Sequence, residues 1–386
     1  MSLQFPRLLA LLIVLDTFAA PGLSSAEEKP SGSGGRMAAV LQPFVDSHIL
    51  GGAVVLVATK DNVLDVEAVG YADVAAKKPM RTDSVFWIAS QSKPITATAV
   101  MMLVDEGKVR LDDPVEKYLP EFKGQMVIAE KDNDHVLLKK PKHPIMVRNV
   151  LSHTSGLPFA SPIEKPTLDI FPLACRVRSY AMLPLDFEPE SKNQYANAGI
   201  NTAGRIVEVV SGMPFEKFLD ERLFKPLGMR DTTFWPSGQE IQRLAKSYKP
   251  AKDGLEECPI GQLTYPLDDP QRQPMPAGGL FSTAADLSRF YQMLANNGTL
   301  GGKRILTEQA VREMETPQPG NPHYGLGIGT DGNHIGHGGA YGTNSAFEKK
   351  TGLITIFLVQ QAGWSKGGEK IVGTFEKAAR DAFAAR

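Results

Sequence analysis

A serine and a lysine three positions apart, Ser90 and Lys93, form the only Ser-x-x-Lys tetrapeptide in the chain. A helical pattern of apolar residues follows, and a spacing of three on a helix brings two side chains together on one face. Pro94 favours a helix that begins close to Ser90, because proline is tolerated in the first helical turn. The helix dipole there favours negative charge on the serine and lowers the pKa of an ammonium. The pattern predicts a nucleophilic serine whose proton the lysine accepts, with an N-cap serine beside a solvated lysine as the alternative.

A second candidate pair, Tyr195 and Asn197, forms the only Tyr-x-Asn in the chain. A cationic lysine stabilises a neighbouring phenolate, so we expect Tyr195 to accept the serine proton and return it to the leaving group. The amide of Asn197 can orient Lys93 or hold the carbonyl side of a substrate. The alternative is a buried tyrosine followed by a turn asparagine.

The third candidate stretch is His337-Gly338-Gly339-Ala340, just before a predicted strand. Glycines let a substrate approach the backbone closely. A backbone N–H there can complete an oxyanion hole with the N–H of Ser90. A glycine-rich hairpin with an exposed histidine is the alternative.

These three motifs, in this order, resemble those of the penicillin-recognising serine hydrolases, which include class C β-lactamases, D-Ala-D-Ala carboxypeptidases, D-aminopeptidases and family VIII esterases. The resemblance covers nearly all of the chain from Gly51 to Gly363. Outside the motifs it rests on several further stretches: Phe86-Trp87-Ile88-Ala89, Leu151-Ser152-His153-Thr154-Ser155-Gly156-Leu157-Pro158, Pro226-Leu227-Gly228-Met229 with Asp231-Thr232, and Gly278-Gly279-Leu280 with Ser282-Thr283.

The resemblance implies a role for each motif residue. Ser90 is the acylated nucleophile, and Lys93 and Tyr195 share the proton transfers. Asn197 is the amide ligand, while Ala340 is the second oxyanion donor. Which of Lys93 and Tyr195 is the formal base stays open, because strongly coupled groups titrate as a pair. No cofactor is implied, and no His-Glu-x-x-His pattern suggests a catalytic metal.

The third motif departs from the Lys-Thr-Gly of β-lactamases, since His337 replaces the lysine and Gly338 lacks a hydroxyl. This favours a carboxylesterase-like hydrolase of short-chain esters or small amides, with a class C-like β-lactamase or D-Ala-D-Ala carboxypeptidase as the alternative. A catalytically silent binder of cell-wall peptides or of a partner is a third hypothesis, against which the intact Ser90, Lys93 and Tyr195 argue. Glu190 stands where relatives usually have glycine, so we expect a different turn before Tyr195.

The elements that position these residues form a regular order, with strand patterns at both ends of the chain and helical patterns between them. We therefore predict an α+β fold like that of β-lactamases and DD-peptidases: an antiparallel sheet flanked by helices and built from both termini, plus an inserted mainly helical domain. The sheet domain is predicted at 36–93 and 270–386, and the helical domain at 94–269. The strand patterns cover 53–59, 63–69, 325–329, 345–347 and 353–360.

The start of the chain predicts export. Residues 1–26 have the order of a signal peptide, and 27–35 are predicted to form a flexible leader. We expect a periplasmic or secreted protein without stable membrane insertion after cleavage, because no second long apolar run follows. Lys plus Arg total 42 against 43 Asp plus Glu, which disfavours nucleic acid as a partner. Cys175 and Cys258 are expected either to pair or to remain free thiols.

Overall fold

A computed structural model describes residues 35–384 of the chain. The predicted signal peptide and the leader up to residue 34 lie outside the described residues. Within 35–384, no helix is long and apolar enough to cross a membrane.

The strands of the described residues belong to one large sheet and several two-stranded pairs. They are β1 (Gly52–Ala58), β2 (Val63–Asp73), β3 (Lys78–Pro79), β4 (Phe86–Trp87), β5 (Val127–Lys131), β6 (Val136–Lys139), β7 (Tyr248–Ala251), β8 (Gly254–Glu257), β9 (Phe281–Ser282), β10 (Thr299–Leu300), β11 (Lys303–Arg304), β12 (Gly329–Thr330), β13 (His334–Gly338), β14 (Asn344–Glu348) and β15 (Leu353–Val359).

The α-helices flank the large sheet or lie between its two halves in the chain. They are α1 (Arg36–Asp46), α2 (Ser92–Asp105), α3 (Val147–Leu151), α4 (Leu173–Ala181), α5 (Asn197–Ser211), α6 (Phe215–Leu219), α7 (Lys225–Leu227), α8 (Gly238–Arg243), α9 (Ala284–Ala295), α10 (Glu308–Glu315) and α11 (Ile371–Phe383).

The large sheet joins the two ends of the described chain. Its seven strands lie in the order β12-β13-β14-β15-β1-β2-β3, and all neighbours are antiparallel. The pairing of β1 with β15, in the register Ala53 opposite Val359, connects the N-terminal strands to the C-terminal ones. The predicted α+β class, with an antiparallel sheet built from both termini, is confirmed.

The sequence of strand β1 is a continuous apolar run because all seven of its residues are buried. Successive side chains point to opposite faces, and both faces are covered. Val55 packs in a cluster with α1 and α11, whereas Val54 and Leu56 pack in the large core on the other side.

Helix α2 runs through that large core. Every residue from Ser92 to Leu103 is buried, and α2 packs against α5 and α10. A helix enclosed on all sides can hold the polar groups at its N-terminus in fixed positions. The domain border predicted between residues 93 and 94 falls within α2, and the division into two domains stays a prediction.

Two predictions from local patterns differ from the structure. The strand predicted at 325–329 is wrong for most of its length, because only Gly329–Thr330 pairs, as β12. Gly327 instead packs on α2, where a Cβ would lie 2.5 Å from the Cβ of Ala97. The strand β13 was not predicted, since its glycines have low strand propensity. It carries the His337-Gly338 half of the third motif.

Candidate active site

Ser90 lies in a 3-10 turn, Ala89–Gln91, that leads directly into α2. Its neighbours Ala89 and Gln91 are buried, while Ser90 itself is partly exposed. Ala89 has a φ of 48°, a left-handed conformation that costs a non-glycine residue about 1–2 kcal/mol. The turn therefore leaves Ser90 partly exposed within an otherwise buried segment.

Lys93 is fully buried, and its Nζ contacts three oxygens: Ser90 Oγ at 2.9 Å, Asn197 Oδ1 at 3.0 Å and the Ala277 carbonyl at 2.7 Å. Burial lowers the pKa of Lys93 well below its ordinary value, which is the predicted direction, although the cause is desolvation. A neutral amine has two N–H groups and one lone pair. If the two oxygens that only accept take the N–H groups, the lone pair faces the hydroxyl of Ser90.

Tyr195 lies beside this pair, with its ring centroid 4.7 Å from Lys93 Nζ. Its side chain is 41% exposed, yet desolvation around the hydroxyl raises its pKa to about 12, and a hydrogen bond with Ser90 opposes this by a smaller amount. The sequence predicted a stabilised phenolate, whereas desolvation shifts the pKa of Tyr195 the other way. Tyr195 is a neutral phenol at neutral pH, and thus a proton donor.

Asn197 is the first residue of α5 and is 5% exposed. The carbonyl of Phe159 accepts the backbone N–H groups of Asn197 and Ala198, at 2.9 and 3.1 Å, so the start of α5 is anchored. The Asn197 amide was predicted either to orient Lys93 or to hold the carbonyl side of a substrate. The structure places it on the amine of Lys93.

The imidazole of His337 has both nitrogens occupied. Nδ1 lies 2.6 Å from the Gly338 carbonyl, and Nε2 lies 2.9 Å from the hydroxyl of Tyr324. A carbonyl only accepts, so Nδ1 carries the proton and Nε2 accepts from Tyr324. Desolvation, followed by the charge of Lys93, lowers the pKa of His337 to about 3. This residue is therefore a neutral histidine held by its neighbours.

Gly339 brings the end of β13 against the turn that carries Ser90. A Cβ on Gly339 would lie 2.6 Å from the carbonyl oxygen of Ile88 and 2.2 Å from Thr343 Oγ1. Only glycine permits this approach. Ala340 follows, one residue past the contact, in the position where the resemblance implies the second oxyanion donor.

Three residues of the site, His153, Tyr324 and Ala277, lie outside the three motifs that predicted it. The ring of His153 lies 4.4 Å from that of Tyr195 and 4.7 Å from that of Tyr324. Its Nδ1 accepts the N–H of Ala196 at 3.2 Å, while Nε2 has no hydrogen-bond partner among residues 35–384. The His153-Thr154-Ser155-Gly156 stretch was a signal for His153. A backbone acceptor such as Ala277 leaves no signal in residue type.

Two further expectations concern Glu190 and the cysteines. Glu190 has a φ of 67°, the left-handed conformation that favours glycine. Its Oε1 accepts a hydrogen bond from Asn149 Nδ2 at 3.0 Å, which helps hold the turn before Tyr195. Cys175 and Cys258, left open by the sequence, are both free thiols in the described part of the chain.

The fold and this cluster define a serine hydrolase of the penicillin-recognising superfamily. The chain belongs to the β-lactamase family, because the family model described as Beta-lactamase matches residues 37–374.

Individual relatives agree with this assignment. Protein Rv1367c of Mycobacterium tuberculosis is 34% identical over 286 residues, covering 72% of this chain and 70% of that protein. Esterase EstB of Burkholderia gladioli is 31% identical over 397 aligned positions, covering 91% and 95%. The solved structure of EstCE1, described as a hydrolase with promiscuous acyltransferase activity, is 26% identical with a TM-score of 0.75, covering 89% and 97%.

Proposed function

We propose that the protein is a carboxylesterase-like hydrolase that forms an acyl-enzyme on Ser90 and acts on short-chain esters or small amides. One observation carries the proposal: Lys93 Nζ lies 2.9 Å from Ser90 Oγ while two carbonyl oxygens take its other hydrogen-bonding positions. This leaves the lone pair of a neutral Lys93 free for the proton of Ser90.

The proposed acylation follows from these contacts. Lys93 accepts the hydroxyl proton as Ser90 Oγ attacks the ester carbonyl carbon, and the carbonyl oxygen takes the negative charge. The N–H groups of Ser90 and Ala340 stabilise that oxyanion. When the carbon–oxygen bond to the leaving group breaks, Tyr195 gives its proton to the departing alkoxide, and the proton on Lys93 restores the phenol. In deacylation, Lys93 accepts a proton from water as the water oxygen attacks the acyl carbon. The bond from that carbon to Ser90 Oγ then breaks, Ser90 regains a proton from the same pair, and the acid leaves.

The preference for a neutral substrate is supported by the third motif. A carboxylate beside the scissile bond is best bound by a cation and a hydroxyl. Here His337 is neutral and hydrogen-bonded at both nitrogens, and Gly338 has no side chain. The names of EstB and EstCE1, an esterase and a hydrolase, are consistent with this preference.

The test compares hydrolysis of p-nitrophenyl butyrate with that of nitrocefin, in the wild type and in Ser90→Ala. We expect faster ester turnover by the wild type, and loss of both activities in Ser90→Ala. A fluorophosphonate probe should label the wild type at Ser90 only. Faster nitrocefin turnover would assign the site to β-lactams, and a wild type without Ser90 labelling would indicate a silent binder.

A further inference from the structure

The carbonyl that holds Lys93 belongs to a short segment, Pro274–Ala277, which we call the strap. Three of its other hydrogen bonds connect it to distant parts of the chain. Arg176 Nη2 donates to the Pro274 carbonyl, Thr96 Oγ1 donates to the Pro276 carbonyl at 2.7 Å, and the N–H of Ala277 donates to Asn201 Oδ1 at 3.0 Å. The position of the Ala277 carbonyl, and hence of Lys93 Nζ, depends on these bonds.

Asn201 lies one helical turn after Asn197 on α5, so both amides face the same side of the helix. Asn197 contacts Lys93 directly, whereas Asn201 contacts the strap. Asn201 is fully buried, and its Nδ2 donates to the hydroxyl of Tyr180 at 2.9 Å. Both ends of its amide are therefore engaged.

Tyr180 continues the chain of contacts toward the segment 161–182. It is fully buried, and its hydroxyl donates to Glu164 Oε1 at 2.6 Å. Burial, and next the charge of Glu164, holds the pKa of Tyr180 well above its ordinary value, so the phenol stays protonated. The buried guanidinium of Arg176 lies 3.9 Å from the same carboxylate and also holds the strap at Pro274.

The direction of every hydrogen bond in this series is fixed. A carboxylate only accepts, so Tyr180 donates its single proton to Glu164 and its oxygen accepts from Asn201 Nδ2. Oδ1 of Asn201 must then face the N–H of Ala277, and the carbonyl of Ala277 accepts from Lys93. The hydrogen bonds that connect Glu164 to the amine of Lys93 therefore have only one possible set of donors and acceptors.

We propose that Asn201 and Tyr180 are positioning residues that hold the strap so that the lone pair of Lys93 faces Ser90. The inference rests on the proposed function, because it assumes that Lys93 takes the proton of Ser90. It makes the segment 161–182 a support of the base, although none of its residues is in hydrogen-bonding contact with Lys93.

The expected signature is a shift in pH dependence together with a lower rate. A carbonyl acceptor stabilises an ammonium more than an amine, so loosening the strap lowers the pKa of Lys93 further and moves the acidic limb of activity to lower pH. The other titratable groups that face Lys93 are Tyr195, His153 and His337. All three are unchanged in the variants below.

The experiment measures the rate constant of fluorophosphonate labelling at Ser90 against pH, which requires no knowledge of the natural substrate. Asn201→Leu removes the strap contact, and we expect a rate about 100-fold lower, the scale of a 1 Å misplacement. Tyr180→Phe is milder and should lower the rate about tenfold by freeing the Asn201 amide. In both, the midpoint of the acidic limb should fall.

The matched control is Tyr248→Phe, which also removes a hydroxyl from a buried tyrosine. That hydroxyl accepts the N–H of Val74 at 2.8 Å and lies away from the strap. It should label within about twofold of the wild type with an unchanged midpoint. Thermal melts report the folded fraction, and rates are compared per folded molecule.

A wild-type midpoint and rate in folded Tyr180→Phe would overturn the positioning role. A wild type that is not labelled at Ser90 would overturn the proposed function, and the inference with it.

Discussion

Gly339→Ala tests whether the close approach of β13 to the turn that carries Ser90 forms the oxyanion hole. The new Cβ would lie 2.6 Å from the Ile88 carbonyl oxygen and 2.2 Å from Thr343 Oγ1. Gly339 is not among the residues with positive φ, so the substitution introduces a clash without a backbone conformation that alanine avoids. The Ile88 oxygen belongs to the backbone and cannot rotate away.

The size of the effect follows from that distance. An unstrained carbon–oxygen contact is about 3.3 Å, so the end of β13 must retreat by roughly 0.7 Å. An N–H···O distance of about 2.9 Å from Ala340 to the oxyanion would become about 3.6 Å, which is no longer a hydrogen bond. Losing one oxyanion donor typically lowers kcat by about 100- to 1,000-fold. KM should change much less.

The assay is steady-state hydrolysis of p-nitrophenyl butyrate, with Gly373→Ala as the matched control. Gly373 lies on α11 with nothing within 4 Å of a Cβ, so the same change there should leave kcat intact. It should also stabilise the helix by about 0.5–1 kcal/mol. A Gly339→Ala protein that melts like the wild type and keeps its kcat would refute the assignment of this backbone to the oxyanion hole.

Three other predictions follow from the site. Lys93→Met should lower kcat for the ester about 100- to 10,000-fold, the range for loss of a general base, while circular dichroism shows a folded protein. The double variant His337→Lys with Gly338→Thr should raise the ratio of nitrocefin to ester turnover, measured spectrophotometrically; a Cβ is sterically allowed at Gly338, where its nearest atom would lie at 3.6 Å. The pKa of His337 is about 3 in the folded protein, against an ordinary value of 6.5. As the pH drops below 6.5, the unfolded chain therefore binds a proton at this residue before the folded protein does. The stability of the folded protein falls as the pH drops from 6.5 toward 3. In His337→Gln, urea denaturation between pH 7 and pH 4 should show a smaller decrease.

The sequence predicted the elements whose signals are local. The apolar run of β1 and the spacing of Ser90 and Lys93 are properties of short segments, and the structure reproduces both as a buried strand and a 2.9 Å contact. The start of helix α9 is also set locally, because Thr283 Oγ1 accepts the N–H of Asp286 at 3.3 Å. The same rules missed β13, because a strand of two histidines, two glycines and one isoleucine is specified by its neighbours in the sheet.

The site required contacts between distant segments, and here residue type was informative only through the resemblance. Tyr195 and Asn197 reach Lys93 from more than a hundred residues downstream, and no periodicity predicts such a contact. Any residue type can supply a backbone carbonyl, so the sequence does not predict the contact that Ala277 makes. The strap and its supports, Asn201 and Tyr180, become recognisable only when the direction of each hydrogen bond can be followed.

The charges of Lys93 and Tyr195 show why burial has to be known before chemistry can be assigned. From the sequence, a cationic lysine beside a tyrosine predicts a stabilised phenolate, which would make Tyr195 a base. Full burial of Lys93 lowers its pKa, which favours the neutral amine, and desolvation raises the pKa of Tyr195 to about 12, which favours the neutral phenol. In such a neutral pair, the amine of Lys93 can accept a proton and the phenol of Tyr195 can donate one. The proposed mechanism follows from this: the serine proton moves to Lys93, and the leaving group receives its proton from Tyr195.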